Sequence, residues 1–139
     1  MKLDIYLNYA GNCAEAFRFY EQHLGGRIHA MVTHGDGPQG MALPEEQKRA
    51  ILHARMVIGG TVLMGADIPH SQPMRSAYLT LRVDSEEDAE RLYALLREGG
   101  QIFMPMEKTF FANRFAMLRN RFGTSWMLLH EVPAGAAEG

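Results

Sequence analysis

His53 and Arg55 stand two residues apart in the run Ile51-Leu52-His53-Ala54-Arg55-Met56-Val57-Ile58. On a β-strand that spacing puts both side chains on one face. Gly59-Gly60 follows the run and is a strong hairpin signal. A two-residue hairpin there sets Arg55 opposite Met64 and His53 opposite Ala66, and opposed residues share a face. An imidazole and a guanidinium that grips oxyanions would then look into one hollow beside a thioether. The same pair could equally cap a strand or meet a second subunit.

A second concentration runs from Glu107 to Arg114, Glu-Lys-Thr-Phe-Phe-Ala-Asn-Arg. Glu107 could act as a base and Arg114 as an anion clamp. Phe110, Phe111 and Trp126 could supply flat apolar walls. The plainer alternative is an aromatic plug over a sheet, with its charges in solvent. Cys13 sits at the first turn of a helix, where the dipole could lower its pKa. Such a cysteine is more often a small packed residue, and no histidine is placed by sequence to serve as its base. The six histidines, His23, His29, His34, His53, His70 and His130, contain no HxH or HxxxH pair.

The elements that must position these groups follow from periodicity. Residues 3–9 alternate as a strand. Gly11-Asn12 breaks it, with Asn12 a plausible helix cap. Ala14, Phe17, Tyr20 and Leu24 mark an amphipathic helix over about 13–24, ended by Gly25-Gly26. Strands are expected near 27–33, 51–58 and 61–66. Between the first two of these, residues 34–49 are loop chemistry, and Pro44 could open a short helical turn. Pro69 and Pro73 mark a linker over about 67–75. The pattern then restarts. Tyr78 to Val83 reads as a strand. Asp84 or Ser85 can cap a helix whose first turn carries Glu86, Glu87 and Asp88, where the dipole favours carboxylates. Ala89, Leu92, Tyr93 and Leu96 form its apolar stripe, and Gly99-Gly100 ends it. Strands are expected near 101–105, 114–118 and 125–131. The order strand, helix, Gly-Gly, three strands occurs twice, an internal repeat. The fold class expected is α+β, with modules over 1–67 and 76–131 and a frayed tail at 132–139.

Composition limits the function. The chain has 139 residues, 47% hydrophobic and 22% charged, enough to bury one core. Its net charge of -2 and scattered basic residues, densest at Arg114, Arg119 and Arg121, argue against a nucleic-acid partner. One cysteine excludes an intrachain disulfide and a four-thiolate metal site. No run approaches the roughly 20 apolar residues needed to span a bilayer. The N-terminus carries no signal-peptide core, so a cytoplasmic protein is expected. Ten methionines are many for this length. Met64, Met104, Met106, Met117 and Met127 fall in strands or at their edges, where core filling is the usual role.

Several segments carry a resemblance to a known family. These are Tyr6-Leu7-Asn8-Tyr9 with Gly11-Asn12-Cys13-Ala14-Glu15-Ala16, and Ile58-Gly59-Gly60-Thr61-Val62-Leu63-Met64-Gly65-Ala66-Asp67. The most specific run spans Met104-Pro105-Met106, Thr109-Phe110-Phe111, Arg114-Phe115, Arg121-Phe122-Gly123 and Trp126-Met127. Over about 2–131 the chain resembles the PhnB-like branch of the vicinal-oxygen-chelate (glyoxalase/bleomycin-resistance) superfamily. The resemblance implies paired βαβββ modules, each a curved mixed sheet, assembled as a homodimer. A methyltransferase-like label also attaches to this branch, but the chain has no strand, glycine-rich turn and helix unit for S-adenosylmethionine.

The resemblance also implies a divalent metal held by His, Glu or Gln near the middle of the first and last strands of each module. Counting from the helices, those positions fall on Ile5, Met64, Tyr78 and Met127. Thioethers are soft ligands and one tyrosine cannot make a site, so the inherited metal centre is expected to be absent, with no cofactor. Met64 and Met127 would then make the old metal cavity apolar. Three readings stay open. The first is a dimeric cup that binds or sequesters a small aromatic or anionic molecule, lined by His53, Arg55, Met64, Tyr78, Phe110, Phe111, Arg114, Trp126 and Met127. The second is an enzyme: a metal-dependent lyase, isomerase or dioxygenase, or a metal-free acid–base catalyst using His53, Tyr78 or Glu107. The third is an interaction module working through its dimer surface and the 34–49 loop.

Overall fold

Among the described residues eight strands and three α-helices form in the order the periodicity predicts. In the computed structural model residues 1–131 are described; the tail expected to fray, 132–139, lies outside them. The chain divides into two compact units, Met1–Gln72 and Pro73–Gly139. The first unit runs β1 (Ile5–Tyr9), α1 (Cys13–His23), β2 (Arg27–Thr33), a 3-10 turn (Gly40–Ala42), α2 (Glu45–Lys48), β3 (Ile51–Ile58) and β4 (Thr61–Asp67). The second runs β5 (Leu79–Arg82), α3 (Glu86–Arg97), β6 (Gln101–Glu107), β7 (Ala112–Arg119) and β8 (Ser125–Glu131). Each unit holds one four-stranded mixed sheet, ordered β1-β4-β3-β2 and β5-β8-β7-β6. The outer first strand of each pairs parallel with the last, and the other pairs are antiparallel. This is the α+β, twice-βαβββ class expected, with no closed barrel.

Helices α1 and α3 each cover one face of their own sheet. Cys13, Ala16, Phe17 and Tyr20 are the buried residues of α1, and Ala89, Leu92, Tyr93 and Leu96 those of α3. Both sets follow the 3–4 spacing of one helical face. Each large side chain so buried contributes about 1.5–3 kcal/mol. The β3–β4 turn has positive φ at both centres, Gly59 at 52° and Gly60 at 84°. That is the two-residue turn whose twist matches the strands, and it fixes the register Arg55↔Met64.

The helix starts differ. Ser85 caps α3 as expected, its Oγ accepting the Asp88 N–H at 3.0 Å. Asn12 occupies the cap position of α1 but makes no side-chain cap bond. Asp67, at the end of β4, takes that role. Its Oδ1 accepts the N–H groups of Gly11 at 2.9 Å and Cys13 at 3.0 Å, and its Oδ2 accepts that of Ile51 at 2.8 Å. Asp67 is only 7% exposed. A charge so buried is tolerated because both oxygens are bonded and one faces a helix N-terminus. Asp67→Ala would orphan three backbone donors. It is expected to lower unfolding stability by about 3 kcal/mol or more, read as a lower denaturant midpoint at unchanged slope.

Candidate functional site

Strand alternation decides which side chains meet. A Cβ on Gly65 would stand 3.0 Å from Cε1 of Phe17, so the Gly65 face of the first sheet lies under α1. Leu63, Ala54 and Met56 share that face and are buried. The opposite, open face carries Arg55 and Met64 as cross-strand partners, with Tyr6 beside Met64 on β1. His53 lies two residues from Arg55, paired with Val32 of β2. Arg55 is exposed, while His53 and Met64 are half-buried.

The second sheet repeats the scheme. Ala116, Leu118, Trp126 and Leu128 are buried on the side covered by α3, Trp126 at 3% exposure. Met127 points to the open face with Met117 and Thr80, and the Thr80 hydroxyl lies 3.8 Å from its sulfur. Trp126 and Met127 are adjacent in sequence and so face opposite ways. Arg114 also lies on the helix side. Its Nε donates to Glu90 Oε1 at 3.0 Å, and a terminal nitrogen is 3.5 Å from Glu86 Oε1, both carboxylates belonging to α3. Phe110 is 94% exposed in the β6–β7 loop. Phe111 packs edge-on between it and Phe115, with ring centroids 5.1 Å apart on each side. The sheet thus separates Arg114 and Trp126 from Tyr78 and Met127.

A cavity of about 390 Å³ opens at one end of the second sheet. Its walls include Tyr78, Phe103, Gln101, Arg119 and Ser125, closed by the segment Met74-Arg75-Ser76. Arg119 pairs with Gln101 on one side and Ser125 on the other, so all three face the same way. The Arg119 guanidinium donates to Gln101 Oε1 at 3.2 Å and stacks over the Phe103 ring at 5.6 Å. Tyr78 meets Phe103 edge-on, centroids 6.4 Å apart. Ser125 Oγ donates to the Met74 carbonyl at 2.9 Å, and the Met74 N–H donates to the Gly123 carbonyl at 2.8 Å. These bonds hold the linker as a wall. Ser76 takes φ 60°, a left-handed conformation unfavourable for a side chain. Of these residues, sequence reading singled out Tyr78 alone. Arg119, Gln101 and Phe103 become legible only when register is carried across two antiparallel pairs.

Two sheets in this order, each covered on one face by a helix and open on the other, define the class of protein. The chain belongs to the glyoxalase/bleomycin resistance protein/dioxygenase superfamily, whose family model matches residues 2–128. It is 31% identical to protein YjdN of Escherichia coli over 92% of this chain and 94% of that one. The crystal structure of PA1353 from Pseudomonas aeruginosa is 41% identical, with TM-score 0.82 over 94% of this chain and 98% of that one. A PhnB protein from Bacillus cereus, described as a putative 3-demethylubiquinone-9 3-methyltransferase, shares the fold. It is 23% identical, with TM-score 0.78 over 94% and 99% of the two chains.

The residues do not fit the divalent metal that such a fold implies. Among the described residues no group of three or more His, Cys, Asp or Glu side chains is arranged to hold a metal ion. The pairing also changes two carried-over positions. Met64 has Tyr6 as its β1 partner, while Ile5 partners Leu63 on the helix side. In the second sheet the partner of Met127 is Thr80. The pairings, and not the count from the helices, set strand parity: Tyr6 and Thr80 share the open face with Met64 and Met127. The corrected set of Tyr6, Met64, Thr80 and Met127 is no better suited to a hard ion.

Cys13 is fully buried, at 0% exposure. Burial first, and the Asp67 carboxylate second, push its thiol from an ordinary 9.0 up to about 12. The dipole effect loses because desolvation opposes the thiolate and the carboxylate already holds the helix N-terminus. Native protein is therefore expected to resist a thiol reagent at pH 8 that labels the unfolded chain at once. Since the unfolded thiol ionises first, stability should fall as pH rises from 9.0 toward about 12.

Proposed function

We propose that this protein binds a small organic molecule, aromatic or anionic, in a metal-free pocket, and works as a cytoplasmic homodimer. The observation that carries this reading is the cavity beside Tyr78. At about 390 Å³ it falls within the range of small-ligand sites. It combines ring faces with a few fixed polar groups, the mixture that gives a ligand both burial and orientation. The open face of the first sheet adds a second surface of similar character, with His53, Arg55 and Met64. Phe110, Phe111, Met127, Trp126 and Arg114 belong to the proposal in a lesser role. Trp126 and Arg114 would support the strands from behind, and Phe110 and Phe111 would edge the entrance or the dimer surface.

A fragment screen by protein-observed NMR tests the pocket. Small aromatic fragments are expected to shift the resonances of Tyr78 and Phe103, and Phe103→Ala to weaken the best of them about tenfold or more. A screen that leaves both residues unmoved would overturn the reading. The metal-free claim has its own test. Adding Ni, Zn, Mn, Fe or Cu should leave the thermal midpoint unchanged, whereas near-stoichiometric metal surviving dialysis would favour the superfamily's lyases, isomerases and dioxygenases.

The homodimer is supported by large apolar side chains left in solvent, among them Tyr6, Val32, Phe103 and Met104. Sedimentation equilibrium should give a mass near twice the 15.6 kDa of one chain; a single-chain mass at all concentrations would exclude it.

A further inference from the structure

We infer that the cavity beside Tyr78 is an oxyanion subsite, with Arg119 as its principal anion-binding residue and Arg75 as a second. This deepens the reading above and rests on it. The ligand class is a flat organic body carrying a carboxylate, phosphonate or phosphate.

Charge in the wall is one-sided. Among the described residues the lining contains two guanidinium groups and no Asp or Glu, in a chain whose net charge is -2. Elsewhere Arg82, Arg91 and Arg114 are paired with carboxylates. Neither Arg75 nor Arg119 has an ion pair among the described residues. Two like charges left unpaired in one hollow repel each other, and an anion between them relieves that repulsion.

Arg119 is also prepared for the task. One nitrogen is spent on the neutral Gln101 amide, and the guanidinium plane rests over Phe103. A neutral partner orients the fork without cancelling its charge, so its remaining N–H groups stay available for bidentate contact. Fixing the side chain before the ligand arrives lowers the entropy lost on binding. Phe103 and Tyr78 present ring surface next to the charge, which suits an anion attached to a planar group. Ser76, held left-handed at φ 60°, brings its neighbour Arg75 to the wall at a conformational cost.

The test uses three probes of one shape, benzoate, phenylphosphonate and benzamide, titrated into the full-length protein by calorimetry and NMR. Each anion is expected to bind about tenfold or more tightly than benzamide, in keeping with a charge-assisted contact. Arg119→Met should bring the anions down to the benzamide level and leave benzamide unchanged. Arg75→Gln, in the linker where no ladder bond is at stake, should cause a smaller loss of the same kind and guards against misfolding of the strand variant. The tighter of the two anions names the ligand class. Equal binding of benzamide and benzoate, or unchanged anion binding in both variants, would overturn the subsite while leaving small-molecule binding intact. Failure of all three probes to shift Tyr78 and Phe103 would overturn both.

Discussion

Three backbone N–H groups, from Gly11, Cys13 and Ile51, converge on the carboxylate of Asp67. Through it the end of β4 grips the β1–α1 turn, the first turn of α1 and the start of β3. Asp67 lies 56, 54 and 16 residues from the donors Gly11, Cys13 and Ile51. Because α1 is held there, Phe17 lies across Gly65 and the helix covers one face of its sheet. The other face is thereby left open. Cys13, drawn into the same knot, becomes a packed thiol instead of a nucleophile. The second unit reaches the same architecture by a local route, the Ser85 cap on α3.

Once each helix is seated, alternation assigns every strand residue to the core or to the open face. Arg55 and Met64 go to the open side as a pair, and Thr80 joins Met127 there. Thioethers and a threonine now stand at positions where this superfamily's fold implies hard ligands. Those side chains are soft or weakly polar. The guanidinium groups lining the second unit's cavity are those of Arg119 and Arg75.

The candidate site was legible in part, for a physical reason at each residue. Arg55 opposite Met64 followed from the Gly59-Gly60 turn, since a two-residue loop leaves no freedom of register. Arg114 looked like a free anion clamp because Glu86 and Glu90 lie more than twenty residues away and meet it only across the helix–sheet packing. Trp126 looked like a pocket wall because composition does not reveal parity, and Met127 beside it points the other way.

Element order, helix extent and the internal repeat are local properties, written in the periods of 2 and 3.6 and in glycine pairs, so the residue string alone carries them. Which face a side chain occupies is not local. It depends on strand register, which sets Tyr6, and not its neighbour Ile5, beside Met64. The cavity is further removed still. It exists because Arg119, Gln101 and Ser125 are brought level by two antiparallel pairings and walled by a linker pinned at Met74. Long-range pairing places side chains that no stretch of sequence holds together.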